Sequence, residues 1–307
     1  MKILAKAAAT KEQLQGKVDV NASGIEIQLL SELVDGKVGQ YHFADEVFDL
    51  DMIKQYDVYV VHAPILSFYG LSDVNLEDMT NTQDFKLLDQ IFYIANTIGE
   101  YHNRRTIIVV HSEMHREKMI GLGDTWKTLM NSVGCLLMKY PYTEIAIENI
   151  TPLRNAHSET LWLSNNFKFD NVVMARELRK QLRTDRIGTV LDLCHARITE
   201  LYMKAIYDAL GDECEDYSLD AYFKENADVI KLIHAADMKG DGFGKGKHGT
   251  PFEDTPESIA ELRKFIELYR KYNYNCLVTL EVSETDFIKS DGYVKSNELL
   301  LRELKRE

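Results

Sequence analysis

Carboxylate and imidazole side chains recur at the ends of short apolar segments along this sequence. Six such segments end in potential ligands, which in chain order are His62, His111, Glu148, Asp192 with His195, His234 with Asp237, and Glu281. An ionised carboxylate within an apolar segment is costly to desolvate, and a shared cation would remove that cost. Because neutral imidazole is the commonest transition-metal ligand, these mixed nitrogen and oxygen donors predict one or two zinc or manganese ions.

Each of these residues, taken alone, also has a purely structural interpretation. A histidine in a strand is often a hydrogen-bonded core residue, and a carboxylate at a strand end can cap the next helix or pair with a lysine. Repetition at six segments favours metal binding for the set.

The segments that carry these residues alternate with amphipathic ones, which is typical of α/β proteins. Eight strands are predicted, at Lys2 to Ala7, Gly24 to Leu30, Val58 to Ala63, Thr106 to His111, Glu144 to Ile150, Gly188 to Leu193, Val229 to Ala235 and Cys276 to Val282. Apolar residues at helical spacing predict helices at 83–102, 124–140, 172–182, 198–210 and 257–272, the last capped by Thr255 with Pro256 in its first turn. Eight strands with intervening helices predict a (β/α)8 TIM barrel, a single domain over residues 1–307.

An open doubly wound sheet is the main alternative to a barrel. It is disfavoured because no glycine-rich G-x-G-x-x-G turn follows the first strand. The glycine-rich segment GDGFGKGKHG, at 240–249, instead follows the seventh strand, where barrel loops often bind phosphate.

Charge and hydropathy limit the partners and the location. The formal charge of -13 argues against broad attraction to nucleic acid or anionic lipid. No apolar run approaches the roughly 20 residues of a membrane helix. Lys6 interrupts the N-terminal run MKILAKAAAT, which therefore reads as a first strand and not as a signal peptide. The four cysteines suggest no disulfide framework, so we expect a cytoplasmic protein without membrane contact.

The order and strand placement of these motifs, from MKILAKA to LVTLEVS, resemble the xylose isomerase-like barrel superfamily. That superfamily includes sugar-phosphate isomerases and epimerases and the endonuclease IV-type enzymes of AP endonuclease family 2. In the isomerase branch, the resemblance implies one metal ion on Glu148, Asp192, His234 and Glu281. It also implies that His195 contacts substrate and that the two glutamates serve as acid and base.

In the endonuclease IV branch, the resemblance implies that His62 and His111 join Glu148 at a second metal ion. A third ion would need His195 and an Asp-x-His motif in the loop after the seventh strand. The sequence reads Gly246-Lys247-His248 there, so the aspartate is missing. Lys245 or Lys247 would supply positive charge near a substrate phosphate in place of that ion, unless both are solvated loop lysines.

Three functions follow from this resemblance. The first is metal-dependent isomerisation or epimerisation of a sugar or sugar phosphate through an enediolate, with Glu148 or Glu281 moving the proton. The second is phosphodiester hydrolysis at an abasic site in nucleic acid. The third is a non-catalytic barrel that binds a sugar or partner, which retention of all the ligands disfavours. The sequence does not fix the oligomeric state.

Further residues are secondary candidates for the mouth of the barrel. Arg197 could reach a substrate phosphate or pair with a surface glutamate. Glu26 and Gln28 point to one side of the second strand and could line the mouth or the interior. The remaining candidates are two loop histidines and three aromatic residues that could wall the pocket or belong to the core, namely His115, His157, Tyr69, Trp126 and Trp162.

Overall fold

Short strands rich in aliphatic residues form the centre of the computed structural model. It describes residues 1–29, 34–35, 42–43, 49–63, 82–112, 123–151, 153–154, 162–163, 169–211, 213–240, 248–272 and 274–306. The strands of the central sheet are β1 (Lys2–Ala8), β2 (Ile25–Gln28), β3 (Val58–His62), β4 (Thr106–Val110), β5 (Thr143–Glu148), β6 (Ile187–Asp192), β7 (Ile230–Ala235) and β8 (Leu277–Leu280). Two short antiparallel pairs, Val34–Asp35 with His42–Phe43 and Leu153–Arg154 with Trp162–Leu163, lie outside this sheet.

The eight strands close into a barrel in which each pairs in parallel with its neighbours in the chain. The circle is completed where β8 pairs with β1, with Ala5 opposite Leu280. On the other side of β1, Lys6 lies opposite Glu26 of β2. The single-domain TIM barrel predicted from the sequence is therefore confirmed.

Helices surround the barrel and connect its strands. They are α1 (Lys11–Asp19), α2 (Leu50–Ile53), α3 (Thr82–Tyr101), α4 (Asp124–Lys139), α5 (Asp170–Leu182), α6 (Leu193–Leu210), α7 (Leu219–Asn226), α8 (Pro256–Lys271) and α9 (Asp291–Leu304). The five predicted helices correspond to α3, α4, α5, α6 and α8. At the start of α8, the Thr255 side chain accepts a hydrogen bond from the Ser258 amide and Pro256 occupies the first turn, which confirms the predicted cap.

Within the described residues, four further helices (α1, α2, α7 and α9) were not predicted, and one predicted start was wrong. Both α1 and α2 are short, at nine and four residues, so their apolar periodicity is brief. The sequence placed the start of α6 at Ile198, whereas the helix begins at Leu193, directly after β6. None of the helices in the described ranges combines the length and apolar character needed to cross a bilayer.

Side chains alternate between the two faces of each barrel strand, and the inward ones form layers. A lower layer is apolar and closely packed, made of Leu4, Val60, Ile107, Val109, Ala146, Val190 and Leu232. Outward side chains such as Ile27, Val61 and Ile108 pack against the helices in a separate core. This lower layer forms an apolar floor within the barrel, and the next inward residues of the strands lie directly above it.

Close helix packing at Gly99 gives a stability test of this architecture. A methyl group on Gly99 of α3 would lie 2.5 Å from the Tyr142 carbonyl oxygen and 2.6 Å from that of Arg104, so backbone would have to move. We expect Gly99→Ala to lower the free energy of unfolding by about 1–3 kcal/mol, measured by urea denaturation. Gly134→Ala in α4 is the control, since the added methyl meets only the flexible Leu182 side chain. A smaller loss for Gly99→Ala than for the control would contradict this packing.

Candidate metal centre

The six predicted metal ligands, together with Lys6, form the inward layer directly above the apolar floor. Each lies two residues after a residue of the lower layer or, for Glu281, after the inward residue Thr279, which places both side chains on the same strand face. The pairs are Leu4 with Lys6, Val60 with His62, Val109 with His111, Ala146 with Glu148, Val190 with Asp192, Leu232 with His234 and Thr279 with Glu281. Residues distant in the chain therefore meet at the carboxyl ends of the strands.

Four of the predicted ligands form one compact group. Glu148, Asp192, His234 and Glu281 each offer a nitrogen or oxygen atom, and these atoms lie within 4.8 Å of one another. Glu148, Asp192 and His234 are buried, at 2%, 4% and 1% exposure. The side chain of Glu281 is 25% exposed. Three carboxylates and one imidazole at this separation could hold one divalent cation, with Glu281 on the open side.

The imidazole of His234 is oriented by a buried carboxylate behind it. Its Nε2 lies 3.1 Å from Oε2 of Glu26, which also accepts a hydrogen bond of 2.6 Å from the Thr279 hydroxyl. The Nδ1 of His234 faces Oε1 of Glu148 at 3.1 Å and Oε2 of Glu281 at 2.7 Å. When Nε2–H donates to Glu26, the lone pair of Nδ1 points between two carboxylates, which is the arrangement of a carboxylate–histidine–metal site.

His62 and His111 form a second group with Glu148. Their Nε2 atoms lie 3.2 Å and 3.0 Å from Oε2 of Glu148. The Nδ1 of His62 is 2.8 Å from the carbonyl oxygen of Ala63, to which it can donate only as Nδ1–H. In that neutral tautomer, the Nε2 lone pair faces the carboxylate oxygen, and a cation between them would satisfy both.

Burial and mutual charge shift the pKa values of these groups in opposite directions. Burial raises the pKa of Glu148, but the positive charge of His234 and the close approach of the imidazoles of His111, His234 and His62 outweigh it and leave that pKa well below its usual value. Burial lowers the pKa of His234, yet Glu26, Glu281 and Glu148 raise it well above its usual value. For His62, burial dominates and lowers the pKa. Glu148 is thus ionised, as is Glu281, whose pKa is also well below its usual value, and these two charges attract a cation.

Two buried carboxylate oxygens beside His234 and Lys6, Oε2 of Glu281 and Oε1 of Glu26, have no hydrogen bond among the described residues. Oε2 of Glu281 lies close to Nδ1 of His234, but without hydrogen-bond geometry. An unsatisfied buried carboxylate oxygen is costly, and a cation held with Glu148, Asp192 and His234 would satisfy it. The donor set and Oε2 of Glu281 therefore fit a divalent cation.

Asp192 has a structural role in addition to its place in the ligand group. As the last residue of β6 and the N-cap of α6, it accepts a hydrogen bond of 2.7 Å from the His195 amide. Asn149 holds its backbone, donating to the Asp192 carbonyl at 3.0 Å and accepting from the Asp192 amide at 2.6 Å. This cap explains why α6 begins five residues before the predicted start and why His195 and Arg197 lie on the helix.

The other candidates near α6 have partners of their own. His195 stacks on His248, with ring centroids 4.9 Å apart, and its Nδ1 lies 2.7 Å from the Asn149 carbonyl oxygen. Arg197 is 3.6 Å from Asp237 and 3.3 Å from Glu261. The Arg197 guanidinium thus forms ion pairs with Asp237, just after β7, and with Glu261 of α8.

Cys194 offers a further ligand group with Asp192 and His248. Its thiol lies 3.4 Å from the carbonyl oxygens of both Ala236 and Asp237, and burial raises its pKa. Because thiolate and not thiol is the metal ligand, Cys194 is poorly suited to this role.

Sequence reasoning missed Lys6, which pairs with the acidic cluster formed by Glu26, Glu148, Asp192 and Glu281. Its ammonium forms a close ion pair with Oε1 of Glu281 and lies 3.5 Å from Oε1 of Glu26. Burial lowers the pKa of Lys6, but Glu281, Glu26 and Glu148 more than offset this and raise it. The signal was present, since Lys6 follows Leu4 with the same spacing as the predicted ligands follow their floor residues.

The remaining predicted residues fall into two classes. Trp126 belongs to the buried core, where its indole N–H donates to Gln181, so it does not wall a pocket. The other predicted site residues lie outside the described parts of the structure, namely Tyr69, His115, His157, Lys245, Lys247 and the side chain of Trp162.

A cavity of about 440 Å³ opens beside the acidic cluster. Its walls include Lys6, Gln28, His248, Glu281 and Phe287. The Oε1 of Gln28 and the Nε2 of His248 are buried there without hydrogen-bond partners among the described residues. This volume falls in the range of small-molecule pockets, and the free polar atoms could bind hydroxyl groups.

Comparison with solved structures shows the same fold in proteins of low sequence identity. A 3-keto-D-glucoside 4-epimerase, YcjR, from E. coli is 13% identical with a TM-score of 0.56, covering 98% of this chain and 99% of that one. Protein SMc04130 from Sinorhizobium meliloti 1021 is 8% identical with a TM-score of 0.53, covering 98% and 96%. The catalytic domain of an endoglucanase from Xanthomonas campestris is 11% identical with a TM-score of 0.52, covering 98% and 93%.

The sequence itself was compared with curated proteins and with family models. No curated protein is significantly similar to the chain. The family model described as xylose isomerase-like TIM barrel matches residues 50–304, which includes six of the eight barrel strands. The chain therefore belongs to the xylose isomerase-like TIM barrel family.

Proposed function

We propose that the protein is a metal-dependent isomerase or epimerase of a sugar or sugar phosphate, acting through an enediolate. The observation that carries this proposal is the convergence of Glu148, Asp192, His234 and Glu281 beside a cavity of about 440 Å³. A bound zinc or manganese ion would polarise a substrate carbonyl and its neighbouring hydroxyl. Family membership and the fold shared with a 3-keto-D-glucoside 4-epimerase support sugar chemistry.

Glu281 is better placed than Glu148 to move the substrate proton. Glu148 is 2% exposed, and His62, His111 and His234 lie within 3.2 Å of its oxygens. Glu281 lines the cavity and keeps a partly exposed side chain. A base must come within hydrogen-bond reach of the proton that it removes, which favours Glu281 as the base and leaves Glu148 as a ligand.

The walls of the cavity would orient the substrate. Gln28 offers a carbonyl oxygen and His248 a ring nitrogen, and each is buried without a partner among the described residues. A ligand hydroxyl donates to the first and donates to or accepts from the second, depending on the tautomer. His195 stacks on His248 and would fix the plane of its ring.

Phosphodiester hydrolysis is the second candidate function. It is favoured by the group of His62, His111 and Glu148, which would allow a second cation to share Glu148 with the first. It is disfavoured by a formal charge of -13, which opposes approach of a nucleic acid.

Substitution of Asp192 separates metal binding from helix capping. Asparagine caps helices as well as aspartate, so we expect Asp192→Asn to unfold in urea no more easily than the wild type when both are metal-free. Its affinity for Mn²⁺, measured by calorimetry, should fall more than about 100-fold, because even outer partners of metal ligands contribute about 10–100-fold.

Asp192→Ala is the companion variant for the capping role. It should lose the same affinity and a further ~1 kcal/mol of unfolding free energy, since alanine cannot accept from the His195 amide. Wild-type affinity in either variant would remove Asp192 from the ligand set.

Solvent deuterium exchange tests the reaction. We expect protein loaded with Mn²⁺ in D₂O to replace the hydrogen next to the carbonyl of at least one compound in a panel of aldoses, ketoses, their phosphates and 3-keto glycosides. NMR follows the loss of that hydrogen. Glu281→Gln should slow exchange at least about 100-fold at measured Mn²⁺ occupancy. The exposed Glu267→Gln is the control. No exchange across the panel would contradict an enediolate reaction.

An abasic-site duplex distinguishes the second function. If the isomerase proposal is right, protein loaded with Zn²⁺ or Mn²⁺ should leave the duplex intact while a positive-control nuclease cuts it. Nicking at the abasic site that is lost in His111→Ala, at unchanged folding by circular dichroism, would instead support the two-cation phosphodiesterase.

A further inference from the structure

We propose that Lys6 is a built-in cation of the acidic cluster, which neutralises Glu281 and Glu26 in the absence of metal and opposes metal binding at the same carboxylate. This inference rests on the proposed function, because it concerns the same metal-binding group. It goes beyond the proposed function because it identifies a residue of the chain, Lys6, as a competitor of the metal ion.

Lys6 occupies a position in the barrel between two acidic side chains. Its register places it between Glu26 of β2 and Glu281 after β8, on the inward face of β1. Its side chain is only 13% exposed, and the side chain of Glu26 is fully buried. An ammonium this deep needs close anionic partners, and the two carboxylates supply them.

The atoms that Lys6 contacts are the second argument. It pairs with Oε1 of Glu281, whereas Oε2 of the same carboxylate is the atom that faces His234. Its other contact, Oε1 of Glu26, has no hydrogen bond among the described residues. Within the described ranges, no other lysine or arginine lies within ion-pair distance of Glu26, Glu148 or Glu281.

Lys6 has two opposing effects on a metal ion that binds Glu281. Lys6 could favour a metal ion by holding Glu281 in position, and losing such an outer contact weakens metal binding about 10–100-fold. It also places a positive charge on the carboxylate that the metal ion would share. At the effective dielectric of a partly buried site, we expect the repulsion between the ammonium and a divalent ion that share one carboxylate to exceed that gain. Removing the charge should therefore strengthen metal binding.

Calorimetric titration of chelator-treated protein with Mn²⁺ tests the proposal. We expect Lys6→Met to bind Mn²⁺ at least about tenfold more tightly than the wild type. Lys2→Met is the matched control, because Lys2 is on the same strand but pairs with Asp57 and lies over the Tyr59 ring, away from the cluster. Its affinity should stay within about twofold of the wild type.

Stability in the absence of metal provides a second measurement. Lys6→Met should unfold at lower urea concentration than the wild type, because the carboxylates lose their counter-charge. The charge-balanced Lys6→Met/Glu281→Gln should recover most of the loss, whereas Lys6→Met/Glu267→Gln should not. If the single variant folds only when Mn²⁺ is present, the proposal is equally supported, since the added ion then replaces the missing ammonium.

The outcomes separate this inference from the proposed function. Binding to the wild type with unchanged or weaker affinity in Lys6→Met overturns the built-in cation and leaves the metal-dependent function in place. Binding to Lys6→Met but not to the wild type supports the built-in cation and contradicts a metal-dependent enzyme. Absence of Mn²⁺ binding in both contradicts both. Failure of the charge-balanced variant to recover stability also overturns the role of Lys6.

Discussion

Burial of negative charge above an apolar floor is the constraint on which the structure depends. Because the eight strands close into a barrel, the side chains of Glu26, Glu148, Asp192 and Glu281 lie in one interior. The lower boundary of that interior is made of aliphatic side chains. Carboxylates in such surroundings need imidazoles, ammonium groups or metal ions as partners. The positions of His62, His111, His234 and Lys6 all follow from that requirement.

The same constraint divides the inward residues by role. Glu26 and Thr279 lie behind His234 and orient its ring, while Glu148 lies at the centre, shared by three imidazoles. Glu281 and Lys6 lie on the side where the cavity opens. Exposure of the side chains thus increases across the cluster toward the cavity. The groups suited to contact a substrate lie at the exposed edge, and the groups suited to hold a cation lie inside.

Much of this could be predicted from the sequence, because strand alternation fixes which residues share a face. The short apolar runs predicted the barrel, and the polar residues within these runs predicted that His62, Glu148 and Asp192 are neighbours. Lys6 was missed because a lysine that interrupts an apolar N-terminal run was read only as evidence against a signal peptide. The early start of α6 was missed because the Asp192 cap depends on Asn149, which is fixed only when β5 and β6 pair.

We propose that one cation is held jointly by Glu148, Asp192, His234 and Glu281. Anomalous X-ray diffraction from crystals of the full chain grown with Mn²⁺ measures this most directly. We expect an anomalous peak bonded to these four residues, with the ammonium of Lys6 moved away from the ion near Glu281. A peak only at other residues, or none at full Mn²⁺ saturation in the crystal, would contradict it.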